Sequence, residues 1–488
     1  MIAITNYVSD PNPSVREAAA DCLIKLHAPN YILSWGPSNH VMEVFWKLSS
    51  EVLYTLAKQI LTERDKGLRA LLDLLRRLLT LRNEFLQQHR NVAARGADTK
   101  ERRQASIALE VALLVMLCSS DTNICTITIE CFALICTEVG LTESFEEYQP
   151  SSTIFVENMA CYTKLVEDAN VVIGRKSQQR RIRRLLRMAT HGSPGMLSAW
   201  EEAWKRWKLM TPLIVRPPEE SRDDTSEVNR KGTGWQDKLR NTSSRHTGST
   251  STVTTTNRIE RLDEERAAEW QNYAGFLAAL GGVCLMAAQN EEFLNSQISS
   301  SSGTVHSSGI RYVPESAVLV DKFLVEMVDL LACDNLLVRE WVREILGNDL
   351  SPALYHTMFR CLEDTLTQCF SQANKNEPIC EPRYTLFVEQ AISVLKLVLD
   401  RLTDKSESLF MVDFSTLISL CTFYVNKLTA DAGSIKMKIK LCHLIEVLML
   451  KKDRVTIRQE FRLRNKLLEI IAEWISDYTL AKVTMKTL

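Results

Sequence analysis

An all-α array of stacked helices is the fold this sequence predicts, and three observations predict it. Apolar residues recur at three- and four-residue steps through most of the chain. No run alternates apolar and polar residues between turn signals, which excludes a sheet. One stretch, residues 269–286 (EWQNYAGFLAALGGVCLM), is apolar on every side and so belongs inside a larger assembly. Trp270, Tyr273, Leu277, Leu280 and Cys284 mark one side of that stretch, and Ala274, Ala278, Gly281 and Gly282 the other. Each helical glycine costs roughly 0.5–1 kcal/mol against alanine, so the pair implies a close-packed neighbour. Helices with no sheet to cover must bury their stripes on one another.

The first corner is DPNPSVR at residues 10–16, where Pro11 and Pro13 stop the preceding turn and Asp10 or Ser14 can cap. The alanine-rich run EAAADCLIKL follows it as a helix. Asp334-Asn-Leu-Leu-Val-Arg339 gives a related corner ahead of EWVREIL, and Asp121-Thr-Asn-Ile a looser third. A D…V-R turn leading into such a helix resembles the inter-helix corner of HEAT repeats, arrays of ~40–47-residue helix pairs. The predicted class is therefore an α-solenoid of HEAT/armadillo-like repeats.

Helices follow in order at residues 40–62, 65–89, 101–118 and 124–139. In the second, Leu68, Leu71, Leu72, Leu75, Leu78, Leu79 and Phe85 form the stripe, and Arg64, Arg69, Arg76, Arg77 and Arg82 are expected on the outer side. Further helices are predicted from Ser351-Pro352 toward Phe370, then at 384–402, 414–428, 435–451 and 458–477. Residues 217–262 and 292–312 are rich in Ser, Thr, Gly and charge, and cannot bury enough apolar area to offset ordering entropy. They predict a disordered linker at 217–262 between blocks 1–216 and 263–488, with a loop at 292–312 in the second.

The net charge of −1 gives no global field to recruit nucleic acid or an acidic membrane. Thirteen cysteines, mostly in apolar helical runs (Cys118, Cys131, Cys136, Cys284, Cys442) and without a CxxC pair, predict buried thiols in a reducing compartment. The start lacks a basic region followed by an apolar core, and the longest apolar runs, 107–118 and 273–288, fall short of the ~20 residues that span a bilayer. A cytoplasmic chain is expected.

With Trp270 and the residues around it in view, the chain resembles the neurofibromin-type Ras GTPase-activating proteins. The pattern EW-x4-GFL-x-ALGGVCL at residues 269–285 is similar to a stretch of that family's central region. Further runs fall in the family's order. They are Gly174-Arg175 leading to QQRRIRRLLR, AWEEAWKRW at 199–207, Leu350-Ser-Pro-Ala-Leu-Tyr355, Phe387-Val-Glu-Gln390, KIKLCHLIEVLM at 438–449, Arg464-Asn-Lys466 and Trp474. The resemblance covers residues 158–474 and is thin before that. It implies a helical-repeat segment that precedes the GTPase-activating domain. The implied partners are the rest of the parent protein including that domain, Ras indirectly, and a second copy of the chain. Activation needs an arginine finger, and the family's FLR-type and FLRFINPA-like motifs are missing here. Phe461-Arg-Leu-Arg-Asn465 matches the repeat region instead. The expected role is a non-catalytic scaffold. The alternatives are a direct GTPase activator, if more chain follows Leu488, and a general HEAT-repeat adaptor unrelated to Ras.

One constellation stands out for binding. Arg175, Lys176, Arg180, Arg181, Arg183, Arg184 and Arg187 lie on one helix whose buried stripe is Ile182, Leu185 and Leu186. Such a face suits an anionic partner, either acidic protein or an acidic membrane surface, and its plain alternative is a solvated face paired with acidic stretches elsewhere. Nucleic acid is not expected, since no stacking-aromatic set accompanies the helix. Trp200, Trp204 and Trp207 fall on one helical face and predict core packing against the adjoining basic helix. His191 and His356 have no carboxylate or cysteine at catalytic spacing, and no phosphate-loop, dinucleotide or metal motif occurs. No cofactor is expected.

Overall fold

The computed structural model describes residues 1–63, 67–142, 158–167, 174–189, 191–216, 263–286, 315–370, 378–402, 409, 412–429 and 431–486. The expected linker 217–262 and loop 292–312 lie outside these residues. Among the described residues there is no strand; Phe370 and Pro378 form an isolated bridge.

The amino-terminal helices are α1 (Ile2–Asn6), α2 (Pro13–Leu26), α3 (Pro29–Ile32), α4 (Val41–Thr62), α5 (Leu68–Gln88), α6 (Lys100–Met116) and α7 (Thr122–Thr142). Then come α8 (Met159–Glu167), α9 (Arg175–Leu186), α10 (Pro194–Ile214) and α11 (263–286). The remainder are α12 (Glu315–Asp329), α13 (Leu336–Glu344), α14 (Tyr355–Gln368), α15 (Pro382–Arg401), α16 (Phe414–Asn426), α17 (Ala432–Leu450) and α18 (Glu460–Lys486). Helices two apart in sequence pack side by side: α4 on α6, α5 on α7, α12 on α14, α14 on α16 and α15 on α17. That two-layer stacking makes the molecule an all-α solenoid.

The two clearest corners are built alike. Arg16 donates to the carbonyls of Asp10 (2.8 Å) and Pro11 (3.1 Å), six and five residues back. Arg339 does the same to Cys333 (2.5 Å) and Asp334 (3.0 Å). In each the helix cap is an asparagine four residues before the arginine: Asn12 accepts from Ser14 N, and Asn335 from Leu337 N and Val338 N. The cap is therefore neither Asp10 nor Ser14, and Asp334 is not the counterpart of Asp10. A short amide that accepts from the first free N–H groups is what a helix start requires.

One hydrophobic core runs from Val8 to Leu467 through both sequence blocks, and a smaller one around Phe45, Trp46 and Phe85 fills the amino-terminal end. Trp200, Trp207 and Trp270 are fully buried and Trp204 nearly so. Their rings form a ladder: 6.1 Å from Trp200 to Trp204, 5.4 Å to Trp207, 5.8 Å to Trp270 and 6.1 Å on to Trp341. Phe323 of α12 stands edge-on to three of them. The tryptophans thus pack on α11, α12 and α13, where the sequence suggested the basic helix.

Trp270, Tyr273, Leu277, Leu280, Gly281, Gly282 and Cys284 are all buried, as the pattern of α11 requires. In a helix the side chain four residues on shields each carbonyl. Gly281 and Gly282 remove that shield from Leu277 and Ala278. Trp200 Nε1 donates to the Leu277 carbonyl (3.0 Å) and Ser351 N to the Ala278 carbonyl (2.9 Å). A Cβ on Gly282 would lie 2.1 Å from Ser351 Oγ, and one on Gly281 2.9 Å from Leu354 Cδ1.

Arg82 departs from its expected place on the outer side of α5. It is 1% exposed and donates to Glu138 through Nε and Nη2 (3.0 Å each) and to Ser49 Oγ (2.5 Å). Burial pushes the Glu138 carboxyl up, but Arg82 and Arg102 outweigh it and hold the group below its ordinary range. Glu138 lies on α7, a 21-residue helix long and apolar enough by length and composition to cross a membrane. The apolar runs picked from sequence missed it. Here α7 packs on α5 and α8, with Glu130 joined to Arg76 (2.7 Å).

Candidate functional site

Helix α9 is the most basic element, and its arginines divide by depth. Lys176, Arg180 and Arg184 are exposed, Arg175 and Arg187 half-buried, and Arg181 and Arg183 buried. The seven-residue face expected from sequence is therefore corrected: two of its members point into the protein. They occupy the stripe beside Ile182, Leu185 and Leu186, where a charge persists only when paired or hydrogen-bonded.

Arg181 donates to the carbonyls of Lys164 (3.3 Å) and Leu165, near the end of α8. Late carbonyls of a helix have no intrahelical donor and carry its negative dipole end, so a guanidinium is well placed there. Arg183 donates to Asp349 Oδ2 (2.7 Å) and to the Gln179 carbonyl (3.2 Å). Its stem lies against Gly275 of α11, where a Cβ would sit 2.3 Å from Arg183 Cδ.

Asp349 ends a π-helical turn, Ile345–Asp349, that continues α13. Three consecutive residues of this turn each accept from a different arginine. Arg401 of α15 reaches the Gly347 carbonyl at 3.4 Å, Arg187 the Asn348 carbonyl at 2.9 Å, and Arg183 the Asp349 carboxylate. Burial pushes the Asp349 carboxyl up, against the pull of Arg183, Arg401 and Arg187. Burial and the facing Arg401 charge both lower the affinity of Arg187 for its proton. Burial pushes the hydroxyl of Tyr355, a buried ring, up, against the pull of the Arg401 and Arg187 charges. Sequence reasoning missed Arg401, Asp349 and Tyr355; more than 150 residues separate Asp349 from α9, and no spacing rule joins them.

Outside this cluster, Arg180 lies 3.9 Å from Glu344 with both side chains exposed, a pair worth little in water. A broad groove of about 1120 Å³ opens between α10, α12 and α15, with Lys208, Glu326, Asp329 and Arg383 among its lining residues. Burial raises the thiols of Cys125, Cys369 and Cys421 to about 12, so these are packing groups and not nucleophiles. Among the described residues no group of three His, Cys, Asp or Glu side chains could hold a metal ion.

Two comparisons with known proteins bear on the chain. The HEAT repeat family matches residues 3–28, the region of the first arginine-closed corner. The inhibitory regulator protein IRA2 of Saccharomyces cerevisiae is 26% identical over 215 residues. That alignment covers 44% of this chain and 7% of the yeast protein, so the chain spans a small part of the length of the relative it matches. The molecule is a helical-repeat protein distantly similar to an inhibitory regulator.

Proposed function

We propose that this chain is a non-catalytic scaffold segment of a neurofibromin-type negative regulator of Ras signalling. The observation that carries the reading is the alignment with the yeast inhibitory regulator across 44% of the chain. The ordered motifs from residue 158 to 474 agree with it. In this role the array holds a GTPase-activating domain belonging to the same parent protein and presents surfaces to regulators in the cytoplasm. The solvent side of α9, Lys176, Arg180 and Arg184, meets an acidic protein or membrane surface. The chemistry that stabilises the transferring phosphoryl group lies outside these residues.

The test is phosphate release from Ras-GTP with and without purified residues 1–488. The expected result is an unchanged rate, and acceleration overturns the non-catalytic assignment. A pulldown of a separately expressed neurofibromin-type GTPase-activating domain by the chain tests the scaffold role, and no retention counts against it. Retention on phosphatidylserine vesicles, weakened by Arg180→Glu with Arg184→Glu, tests the α9 surface.

A further inference from the structure

Helix α18 buries one side and carries a second apolar stripe in the open. The inner side is committed to the fold. Leu463 and Leu467 are buried, Trp474 Nε1 donates to Asn426 Oδ1 of α16 (2.6 Å), and the Lys466 ammonium stands 5.7 Å from the Phe423 ring centroid. On the outer side Phe461, Asn465, Leu468, Ala472 and Ile475 are all exposed, the three large apolar ones by 68%, 59% and 62%. Their steps are four, three, four and three, the spacing with which one helix lays a seam along another. Single exposed apolar side chains are ordinary on a protein surface. Three large ones seven residues apart, with asparagine and alanine completing the row, make a continuous stripe about 21 Å long.

The charges beside the stripe select its occupant. Arg462 and Arg464 lie in its first half and Glu469 and Glu473 in its second, all four exposed. A second α18 laid parallel sets arginine beside arginine and glutamate beside glutamate. Laid antiparallel, with Leu468 near the two-fold axis, it sets the arginines of each copy toward the glutamates of the other and Phe461 toward Ile475 of the second copy. An antiparallel partner must itself run from basic to acidic, and α18 is such a helix. One isologous contact therefore satisfies stripe and charge together.

We infer that the outer face of α18 is a self-association surface on which α18 of a second copy lies antiparallel. One helix on one helix is at the weak end of specific interfaces, so the association is concentration-dependent and micromolar. The inference concerns how copies of this chain meet and stands apart from its reading as a Ras regulator.

The experiment is sedimentation equilibrium of residues 1–488 over roughly 1–200 μM, where wild type is expected to pass from monomer to dimer. Leu468→Asp, at the centre of the contact, is expected to stay monomeric throughout. Two charge variants read the orientation: Arg462→Glu with Arg464→Glu, and Glu469→Lys with Glu473→Lys. Each alone is expected to associate about tenfold more weakly than wild type, and their equimolar mixture at least as tightly as wild type. The mixture rescues only a loss that arises at the contact, so a folding defect does not imitate it. A wild type that is monomeric over the whole range overturns the proposal, as does a dimer that persists in Leu468→Asp. Charge variants that associate as wild type does, or a mixture that stays weak, overturn the antiparallel contact. A monomeric wild type that retains a GTPase-activating domain in pulldown, with retention lost in Leu468→Asp, assigns the face to that domain and not to a second copy.

Discussion

His27 sits fully inside the amino-terminal end, its Nδ1 2.9 Å from the Leu23 carbonyl and its ring edge-on to Trp35. Burial lowers its pKa from 6.5 to about 4; the Leu23 carbonyl opposes this and the Arg82 charge adds to it. The folded chain thus refuses a proton that the unfolded chain accepts. Stability is complete above pH 6.5 and falls as pH drops from 6.5 toward 4, by an amount on the order of 2 kcal/mol at about pH 5. Urea titrations at about pH 7 and pH 5 should show this loss in wild type and not in His27→Gln. Glu138, whose folded pKa is depressed from 4.5, contributes stability that is fully present above 4.5 and is lost only as pH falls below it, so its loss begins near the lower end of the His27 window. Arg82→Ala leaves Glu138 buried without its bidentate partner and is expected to cost about 3–5 kcal/mol. Gly282→Ala gains helix propensity of about 1 kcal/mol but drives a methyl group into Ser351, for a net loss of about 2 kcal/mol in denaturant unfolding. Two helical glycines in an apolar run announced a close approach. Which corner approaches could not be read, because Ser351 is 69 residues from Gly282 in the chain. Arg82 was unreadable for a similar reason: its buried partners stand on α4 and α7.

At the scale of the element, α9 separates what periodicity states from what packing decides. Its aliphatic stripe of Ile182, Leu185 and Leu186 is buried as expected. Arg181 and Arg183 flank that stripe, and sequence gives no warning that α8 and the 345–349 turn supply acceptors for them. The consequence is a sharp contrast between neighbours. Arg183→Glu sets a second carboxylate against Asp349 and is expected to destabilise the array by at least about 3 kcal/mol. Arg180→Glu and Arg184→Glu, both exposed, should move the thermal midpoint little. Circular dichroism melts of the four single reversals at positions 180, 181, 183 and 184 test the division; equal effects at all four would refute it. The corners were more legible. A proline- or asparagine-bearing turn ahead of Val-Arg told of a helix boundary, and the structure adds the reason the arginine is there: it ties down two carbonyls of the incoming chain.

Across the whole molecule, the all-helical class followed from periodicity because stripes of three- and four-residue spacing leave no other way to shelter apolar area. The way the two sequence blocks meet was not readable, since it rests on pairings such as Asn272 with the Cys118 carbonyl (3.2 Å) and Arg206 with the Tyr273 hydroxyl (3.3 Å). A continuous core across the blocks makes a prediction of its own. Residues 1–216 and 263–488, expressed as separate chains, should co-purify as a complex, because Trp207 stacks on Trp270 and meets Phe323 edge-on across that division. Independent elution of two folded halves would contradict it. Full buried apolar side chains contribute about 1.5–3 kcal/mol each, so severing this contact costs the array several such increments.

The aromatic ladder also makes the molecule its own reporter. Indoles stacked at 5.4–6.1 Å from Trp200 to Trp270 share their electronic excitation, and a chiral stack of them rotates near-ultraviolet light strongly. Parting the halves breaks the stack between Trp207 and Trp270. Their association is therefore visible as an optical signal without any added label.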